Sequence, residues 1–481
     1  MRLCKREFYF LILLGASGCI KIPEHDLAPL FTSAEVGSEI AQAVDSGIFA
    51  YGDWPSRTWW KELDDSILTD LIEAGLKNNP DLLAADMRVK KAAQVALQKR
   101  AALFPEIDLY TTDNWEHLAR QGFFRAFAPM IPAVVNDFNF DFTFNYQVDF
   151  WGKYRDLFNA AMGEAAAQAA EKLQAELLLS TAIAYEYSQL QFLLKEKEIL
   201  LARDANRQAI LGVRERRTEN ALDTSIQQLQ SKASTLNVQS TIVEIDPQIA
   251  EQIHKLKMLS ALGQDAVLEI PYRPLNALQI ALPENLSLDL ISRRPDLIAQ
   301  RSRVEAAANR IDAAKTDFYP NVNLSAFIGL ESVFWSKLLR KENYSSSLEP
   351  ALNLPIFTAG RLKAQLVERV VEFNEAVFVY DNLILLAARE VADSLTAISF
   401  LQKEIEIREV SLQVAKRQEY LTRRRLEHAL DNKIGYLEAQ NQVLETELLV
   451  ATLEYGKQLA GILLIRALGG GYDGGGVNGC P

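Results

Sequence analysis

The sequence predicts a mainly α-helical protein with a β-barrel part, built from one unit that occurs twice. Three observations support this fold class: matched motifs at a fixed spacing, two very long stretches without proline, and segments in which apolar and polar residues alternate. Alternation indicates strands, because successive side chains of a strand point to opposite faces, whereas a helix spreads them around its axis. Each unit is expected to contain, in order, a helix, two strands and a long helical hairpin.

Two series of matched motifs divide the chain into halves. Asn79-Pro80-Asp81-Leu82 in the first half is matched by Arg294-Pro295-Asp296-Leu297 in the second, and Asn220-Ala221-Leu222-Asp223 is matched by His428-Ala429-Leu430-Asp431. Self-similarity at a constant spacing indicates a structural repeat. The predicted repeats are residues 67–275 and 276–468, followed by a Gly-rich flexible tail over residues 469–481.

The predicted elements of the two repeats correspond one to one. In the first repeat they are helices over 67–103, 153–218 and 223–262 and strands over 105–119 and 137–150. In the second they are helices over 286–318, 361–427 and 431–468 and strands over 320–334 and 344–357. The second helix of each repeat lies in a proline-free stretch and extends on the order of 100 Å. Helices of this length must pack side by side as coiled coils.

The clearest strand covers residues 137–150, where every second side chain is apolar. We expect this apolar face to meet lipid, as in a strand of an outer-membrane barrel. Burial of the same face in a water-soluble core is the alternative, but no further strands are expected that could form a second sheet. The lipid-facing side chains are predicted to be Phe138, Phe140, Phe142, Phe144 and Tyr146.

Four strands are too few to close a barrel, and open strand edges are not tolerated in lipid. Three chains would supply 12 strands, whereas two would supply eight, a number whose interior is filled by side chains. The sequence therefore predicts an obligate trimer. It would form a 12-stranded outer-membrane barrel continued by a 12-helix coiled-coil barrel, whose helices reverse at Leu222 and Leu430.

Composition and charge restrict the functions that the chain can perform. Its 481 residues carry a net charge of −12, which disfavours nucleic-acid binding because phosphates require a basic surface. Three cysteines and four histidines give little material for a disulfide framework or a zinc site. No run of about 18 uninterrupted apolar residues follows residue 20, so no conventional membrane-spanning helix is expected. Neither a cofactor nor a metal is expected.

The amino terminus has the pattern of an export signal. A basic start is followed by an apolar run over residues 8–14 and by small residues before Cys19. Ala16-Ser17-Gly18-Cys19 resembles a bacterial lipobox, so residues 1–18 are predicted to be a signal peptide and Cys19 to carry lipid, including palmitate. Secretion with an unmodified Cys19 is the alternative. Residues 19–66 are expected to form an N-terminal extended segment.

Several motifs, taken in order, resemble those of the TolC-like outer-membrane factor family, in particular its lipoprotein branch in tripartite (RND-type) multidrug efflux systems. The resemblance spans nearly the whole mature chain. It implies a trimeric exit duct through the outer membrane and periplasm, with a periplasmic adaptor and an inner-membrane pump as partners. The motifs are Trp59-Trp60 with Asn79-Pro80-Asp81-Leu82, residues 148–153 (VDFWGK), residues 354–361 (LPIFTAGR) and residues 467–472 (ALGGGY).

The resemblance also assigns roles at the helix reversals. Asp431 matches a position where the family places an acidic ring at the closed periplasmic entrance, and three copies around a narrow axis would attract cations. The alternative is an ordinary helix N-cap, which is the role expected for Asp223. The family commonly has glycine in these turns, whereas this chain has Ala221 and Ala429, a departure that affects the expected turn geometry and the fit to an adaptor.

Other function classes have weaker support. An enzyme is disfavoured because the sequence has no His/Cys cluster, phosphate-binding glycine loop or nucleophile elbow. A structural outer-membrane lipoprotein without a pore would have no use for the aromatic stripe. Within the duct hypothesis, the alternatives are a type I protein-secretion system and metal efflux, although five methionines give no Met-rich stretch. The resemblance favours efflux of small molecules.

Overall fold

The computed structural model describes residues 22, 25–32, 41, 43–45, 47–274, 276, 278, 280–283 and 286–472, with the backbone alone for 286–289. The predicted signal peptide, the lipidation site Cys19 and residues 473–481 of the predicted tail lie outside the described residues. Contacts divide the chain into two compact units. The sheet unit comprises the described residues within 1–29, 90–167 and 301–379, and the body unit comprises those within 30–89, 168–300 and 380–481.

Helices make up most of the described chain. In chain order the helices are α1 (Ser66–Asn78), α2 (Pro80–Ala101), α3 (Phe123–Phe127), α4 (Lys153–Glu219), α5 (Ser225–Leu259), α6 (Leu286–Arg293), α7 (Pro295–Thr316), α8 (Arg361–Glu427) and α9 (Lys433–Ala467). The strands are β1 (Glu106–His117), β2 (Val134–Val148), β3 (Asn321–Ser332) and β4 (Tyr344–Asn353). Short 3₁₀ helices cover Trp59–Leu63, Trp335–Lys337 and Lys341–Asn343.

Each half opens with two helices where the sequence predicted one. The expectation of single helices over 67–103 and 286–318 is wrong at Asn79 and Arg294, where the chain leaves the helical conformation. The reason is the proline that follows, since proline disfavours the α conformation of the residue before it. Asn79 accordingly has φ −63° and ψ 125°.

The residue at each break ties the helix start to the end of the last helix in the same half. The side-chain amide of Asn79 donates to the Leu259 carbonyl at the end of α5 (3.1 Å). The buried Arg294 guanidinium donates to the Ala467 carbonyl at the end of α9 (3.2 Å). Arg294 is also paired with Asp296 and Glu390, each at 2.7 Å, so its charge is compensated within the body unit.

The long helices have equal lengths in the two halves. α4 and α8 each contain 67 residues, α5 and α9 each contain 35, and α2 and α7 each contain 22. α9 is the one described helix that is long and apolar enough to cross a membrane by length and composition. Length and composition are weak evidence for a membrane-spanning helix, because α9 also contributes Ile462 and Ile465 to the core of the body unit.

The core of the body unit gathers around Trp59 and Trp60, whose rings meet edge to face at 6.0 Å. Residues 59–63 form a 3₁₀ helix, so the segment predicted to be extended over 19–66 contains a helical turn that is packed in the core. Asp65 accepts the Ile67 and Leu68 amides at the start of α1 with one oxygen. Its other oxygen accepts from the buried Tyr187 hydroxyl at 2.8 Å. The Asp65 carboxylate thus caps α1 with one oxygen and binds a buried side chain of the core with the other.

The predicted flexible tail is wrong in its first four residues. Gly469 has φ +84°, and a Cβ there would collide with the Arg293 carbonyl oxygen, so only glycine fits. A Cβ on Gly470 would collide with a Leu177 methyl group. Tyr472 is buried. The Leu-Gly-Gly-Gly-Tyr motif is therefore packed within the body unit.

The four strands of the sheet unit form one antiparallel sheet in the order β1-β2-β3-β4. The register pairs Leu109 with Phe142, Phe142 with Ile328, and Ile328 with Ser346. β4 ends at Asn353 rather than at the predicted residue 357, close to Pro355, which has no amide hydrogen for a strand pair. Both hairpin turns lie at one end of the sheet, and connections to the helices leave from the other end.

Candidate membrane surface and channel entrance

The register gathers most of the apolar side chains of the four strands on one face of the sheet. Phe138, Phe140, Phe142, Phe144 and Tyr146 share this face because alternate residues of a strand point the same way. Their paired residues continue it across the neighbouring strands. These neighbours are Ile107, Leu109 and Thr111 on β1, Leu324, Ala326, Ile328 and Leu330 on β3, and Tyr344, Leu348 and Leu352 on β4.

Much of this apolar face is exposed in the single chain. Phe142 is 50% exposed and Leu352 is 70% exposed, whereas Phe138, Phe144 and Tyr146 are half-buried among their strand neighbours. A sheet that buried this face in its own core would cover these side chains. The face is large and apolar, which marks a surface that meets lipid or protein.

The opposite face of the sheet is mostly polar, although Tyr110 and Phe327 also lie on it. It carries Asn139, Asp141, Thr143, Asn145 and Gln147 on β2, with Asp108 on β1, Asn323 and Ser325 on β3, and Ser345, Ser347 and Glu349 on β4. Asn139 donates to Thr112 and to Asp137, so neighbouring polar side chains on this face interact with one another. One polar and one apolar face is the pattern of a sheet that separates water from lipid.

The junction from β2 to α4 explains the VDFWGK motif. Both oxygens of Asp149 accept backbone amides of the first turn, from Tyr154 and Arg155 at 3.1 Å. Trp151 stacks on Tyr319 with ring centroids 4.9 Å apart, and its indole N–H donates to the Pro320 carbonyl at 2.7 Å. Lys153 pairs with Asp317 at 2.6 Å. The motif therefore joins the start of α4 to the end of α7.

At the first helix reversal, between α4 and α5, the chain turns through Ala221 in the left-handed conformation (φ +54°). The Leu222 amide closes the turn on the Arg217 carbonyl at 2.7 Å, the hydrogen bond of a Schellman motif. Leu222 itself is exposed. Glycine is normally favoured at a position with positive φ. Ala221 adopts this conformation, so the absence of glycine does not change the type of turn.

Asp223 is held by a clamp of two arginines. Arg217 donates through two nitrogens to the two carboxylate oxygens at 3.0 Å, and Arg214 donates a third hydrogen bond at 3.0 Å. The Asp223 side chain is only 5% exposed. The hydrogen bond from Arg217 holds the pKa of Asp223 below its usual value, with a further contribution from Arg214. Asp223 does not cap α5, whose N-cap residue is Thr224.

The second reversal, between α8 and α9, has the same backbone. Ala429 has φ +56°, the Leu430 amide bonds the Arg425 carbonyl at 2.8 Å, and Leu430 is exposed. Asp431 is more open than Asp223, at 29% exposed. Among the described residues it pairs with Arg425 at 3.3 Å, and its other oxygen accepts the Asn432 amide at 2.8 Å. Asn432, not Asp431, caps α9 by accepting the Gly435 amide. The helix-cap alternative for Asp431 is therefore wrong.

Sequence reasoning missed the clamp around Asp223. Arg214 and Arg217 lie 9 and 6 residues before the aspartate, a spacing without a pattern of its own. Comparison of the two halves gives the signal: Arg217 matches Arg425, but Arg214 matches Thr422, whose hydroxyl is turned back to helix carbonyls. Among the residues that the structure describes, no group of three His, Cys, Asp or Glu side chains is placed to hold a metal ion.

The fold and these surfaces define an outer-membrane channel protein. The chain superimposes on the outer membrane protein VceC of Vibrio cholerae with a TM-score of 0.78 and 31% identity, over 87% of this chain and 100% of that one. It also matches the fold of the CmeC outer membrane channel of Campylobacter jejuni, with a TM-score of 0.82 and 20% identity, covering 95% of each chain. The mainly helical architecture with a small sheet is therefore that of TolC-like channels.

The particular family follows from the sequence match. The model of the outer membrane efflux protein family matches residues 71–262 and 286–470, and the chain belongs to this family. Among its relatives are the multidrug resistance outer membrane proteins MdtP of Escherichia coli K12, 28% identical over 96% of this chain and 95% of the relative, and MdtQ of Escherichia coli O157:H7, 28% identical over 96% and 97%. The predicted family, the efflux function and the outer-membrane location are confirmed.

Proposed function

We propose that three copies of this chain form an exit duct that carries drug-like small molecules across the outer membrane. Membership of the efflux family supports transport, and the relatives named for multidrug resistance support small molecules as cargo. The duct works in series with a periplasmic adaptor and an inner-membrane pump, which supply direction and energy. No chemical step is required of this chain.

The sheet carries the argument for a trimer. β1 and β4 are the outer strands of the four-stranded sheet, and each pairs with one neighbour along the described chain. Inside lipid their remaining edges must find partners, because no water is present to hydrogen-bond the backbone. Joining β4 of one copy to β1 of the next satisfies both edges. Three copies give 12 strands and a lumen, with the polar face inward and the apolar face, including Phe138 to Tyr146, against lipid.

An internal duplication explains how one chain supplies two similar parts of the duct wall. The paired helices have equal lengths. The left-handed turns at Ala221 and Ala429 have the same separation along the chain as those at Gly152 and Gly360. The two separate matches of the family model support the same division. With three copies, the two hairpins per chain provide the 12 helices of a coiled-coil barrel.

Lipid at Cys19 anchors the mature chain to the membrane. Within the sheet unit, the extended segment after Cys19 is held by Asn374 of α8, which accepts the Ala28 amide at 2.9 Å and donates to the Asp26 carbonyl at 3.3 Å. Palmitate labelling is expected in the wild type and absent in Cys19→Ser. Equal labelling of both would remove the anchor from the proposal.

At the periplasmic end, three copies of Asp431 form an acidic ring that narrows the entrance and favours cations. The partial exposure of Asp431 supports this role, because a carboxylate that pairs with one arginine among the described residues keeps acceptor capacity. Asp223 belongs to the turn structure through its arginine clamp. The exposed Leu222 and Leu430 mark the surface that meets the adaptor.

The barrel is tested by placing lysine on either face of β2. Phe142→Lys with Phe144→Lys is expected to abolish trimers, since lysine facing lipid costs about 2–4 kcal/mol near the bilayer midplane. Thr143→Lys with Asn145→Lys is the matched control on the polar face and is expected to form trimers. Heat-stable trimers on gels and recovery in the outer-membrane fraction report the outcome. Normal trimers from the Phe142/Phe144 variant would overturn the barrel.

The cargo is tested in cells that lack their own efflux channel. Expression of this chain with its adaptor and pump is expected to lower susceptibility to drugs and to leave protein secretion unchanged. Restored secretion of a type I substrate without drug resistance would favour the secretion alternative. Trimers that restore neither process would favour a structural lipoprotein.

A further inference from the structure

Charge is segregated between the strands of the sheet and the hairpin loops that join them. The charged side chains of the four described strands are carboxylates, and no lysine or arginine occurs in those strands. The two hairpin loops have the opposite sign. Hairpin loop 1 (residues 118–133) contains Arg120 and Arg125 without an acidic residue, and hairpin loop 2 (residues 333–343) contains Lys337, Arg340 and Lys341 with one glutamate. The strand carboxylates are Glu106, Asp108, Asp113, Glu116, Asp137, Asp141, Glu331 and Glu349.

Hairpin loop 1 exposes a cluster of large apolar side chains. Phe123 lies 5.8 Å from Phe124 and 5.4 Å from Phe127 between ring centroids, and Met130 follows at 91% exposure. The cluster is held in place by Arg125, which donates to the Leu118 and Ile131 carbonyls. The aromatic side chains are thus presented to the surroundings by a loop with a defined base.

Hairpin loop 2 lies against the apolar face of the sheet. The ring of Trp335 packs on Phe138 with centroids 5.3 Å apart, and Trp335 is still 70% exposed. Phe334 and Leu339 are exposed, whereas Leu338 is buried and anchors the loop. Lys337 lies 4.6 Å above the ring of Phe334, so basic and aromatic groups of this loop are presented together.

We propose that the two hairpin loops form a binding surface for phosphate-bearing lipids, in which their aromatic side chains enter the acyl region and their basic side chains contact the headgroup phosphates. The lipids are those of the membrane leaflet at the loop end of the barrel. The inference rests on the proposed barrel, because the apolar face must meet lipid for Trp335 to reach it. The phosphate contacts come from Arg120, Lys337, Arg340 and Lys341.

Two observations favour lipid over a protein partner. The contact between Trp335 and Phe138 makes the loop surface continuous with the apolar sheet face, and both hairpin loops lie at the same end of the sheet. Aromatic side chains at the rim of a barrel and basic side chains beside them are the pattern by which proteins bind an anionic lipid interface. Arg340 has a loose pair with Glu342 at 3.6 Å and remains exposed.

Depth-dependent fluorescence quenching of the full-length trimer in vesicles tests the aromatic part. Phe127→Trp is expected to be quenched by phosphatidylcholine with brominated acyl chains, and Trp335→Phe is expected to lose part of the quenching seen in the wild type. Leu222→Trp, at the helix reversal, is the control that should respond to aqueous acrylamide instead. If Phe127→Trp behaves like Leu222→Trp, hairpin loop 1 faces water or the lumen and the proposal is overturned.

Lipid preference tests the basic part. The quenching that Trp335→Phe removes measures the contribution of Trp335. In vesicles that mix phosphatidylcholine with phosphatidylglycerol, this contribution should be larger when the anionic lipid is brominated than when the zwitterionic one is. The triple variant Lys337→Gln/Arg340→Gln/Lys341→Gln should lose this difference. Each basic residue removed is expected to lower the affinity for the anionic lipid by up to about fivefold. Lys77→Gln/Lys232→Gln/Lys403→Gln, which removes three exposed lysines of the body unit, should keep it.

Equal quenching by the two brominated lipids in the wild type would overturn the phosphate contacts. Inorganic phosphate added to zwitterionic vesicles should not change Trp335 emission, because the site needs a membrane-bound headgroup. Heat-stable trimers and planar-bilayer conductance are measured on the same preparations. A failure of the barrel would appear in those readouts, whereas a failure of the lipid surface alone would leave both intact.

Discussion

At the first helix reversal Asp223 is held by two arginines, whereas at the second the equivalent Asp431 is held by one. The backbones agree closely: Ala221 and Ala429 have φ +54° and +56°, and the closing hydrogen bonds measure 2.7 and 2.8 Å. The side chains account for the difference. Arg214 of the first half is replaced by Thr422 in the second, and the aspartate changes from 5% to 29% exposed.

The comparison indicates how two turns with the same backbone conformation can hold an aspartate in different ways. The Asp223 carboxylate accepts three hydrogen bonds from two arginines and is held within the turn. These bonds are strong because donor and acceptor are both charged. A carboxylate with one ion pair keeps acceptor capacity for other copies or for passing cations. The difference between Arg214 and Thr422 accompanies this difference in how the two aspartates are held.

The largest expected difference is in conductance. Asp431→Ala should raise single-channel conductance several-fold and lower cation selectivity, because it removes the proposed acidic ring. Asp223→Ala is the matched control and should leave both unchanged in planar bilayers. Equal responses from the two variants, or no response from Asp431→Ala, would contradict the ring.

Exchanging the residue that distinguishes the turns should exchange their behaviour. Arg214→Thr is expected to loosen the first turn, since Asp223 loses one of its three donors. Thr422→Arg is expected to bind Asp431 and to lower the cation preference of the channel. Amide hydrogen exchange over residues 218–227 and 426–435 measures the local effects. A tightened second turn with unchanged ion selectivity would show that Asp431 plays no part in selectivity.

The first turn should weaken in acid. Because Arg217 holds the pKa of Asp223 below its usual value, the carboxylate contributes stability above the unfolded-state pKa of about 3.9 and loses it as the pH falls through the lower folded-state value. Hydrogen exchange over residues 218–227, corrected for intrinsic rates, should therefore accelerate below about pH 4. Asp223→Asn should abolish this dependence, and an unchanged profile in that variant would assign it to another group.

The smallest effect should come from the alanines at the two helix reversals, Ala221 and Ala429. Ala221→Gly and Ala429→Gly should each stabilise their turn by about 1 kcal/mol, because glycine adopts positive φ without the steric cost that alanine incurs. Ala205→Gly, in the exposed interior of α4, should instead cost about 1 kcal/mol. Local opening free energies from hydrogen exchange give the sign. Destabilisation at either turn would mean that the left-handed conformation is not retained in the trimer.

Much of the fold could be predicted because its signals are local. The alternation over residues 137–150 corresponds to β2 at Val134–Val148, and the proline-free stretch after Gly152 corresponds to α4 at Lys153–Glu219. The breaks at Asn79 and Arg294 were missed although Pro80 and Pro295 mark them, since periodicity continues across each break. The arginine clamp could not be predicted from spacing, because it depends on how the chain returns after the turn.

The sequence by itself determined the lengths of the long helices and the two-faced strands, because each depends on the order of residues along one stretch of chain. Tertiary structure decided what those stretches meet. It brought Gly469 onto the Arg293 carbonyl, Arg294 beside Glu390, and Trp335 onto Phe138. It also separated Asp223 from Asp431. These contacts join residues that are distant along the chain. The periodicity of the sequence, which reflects local structure, does not predict them.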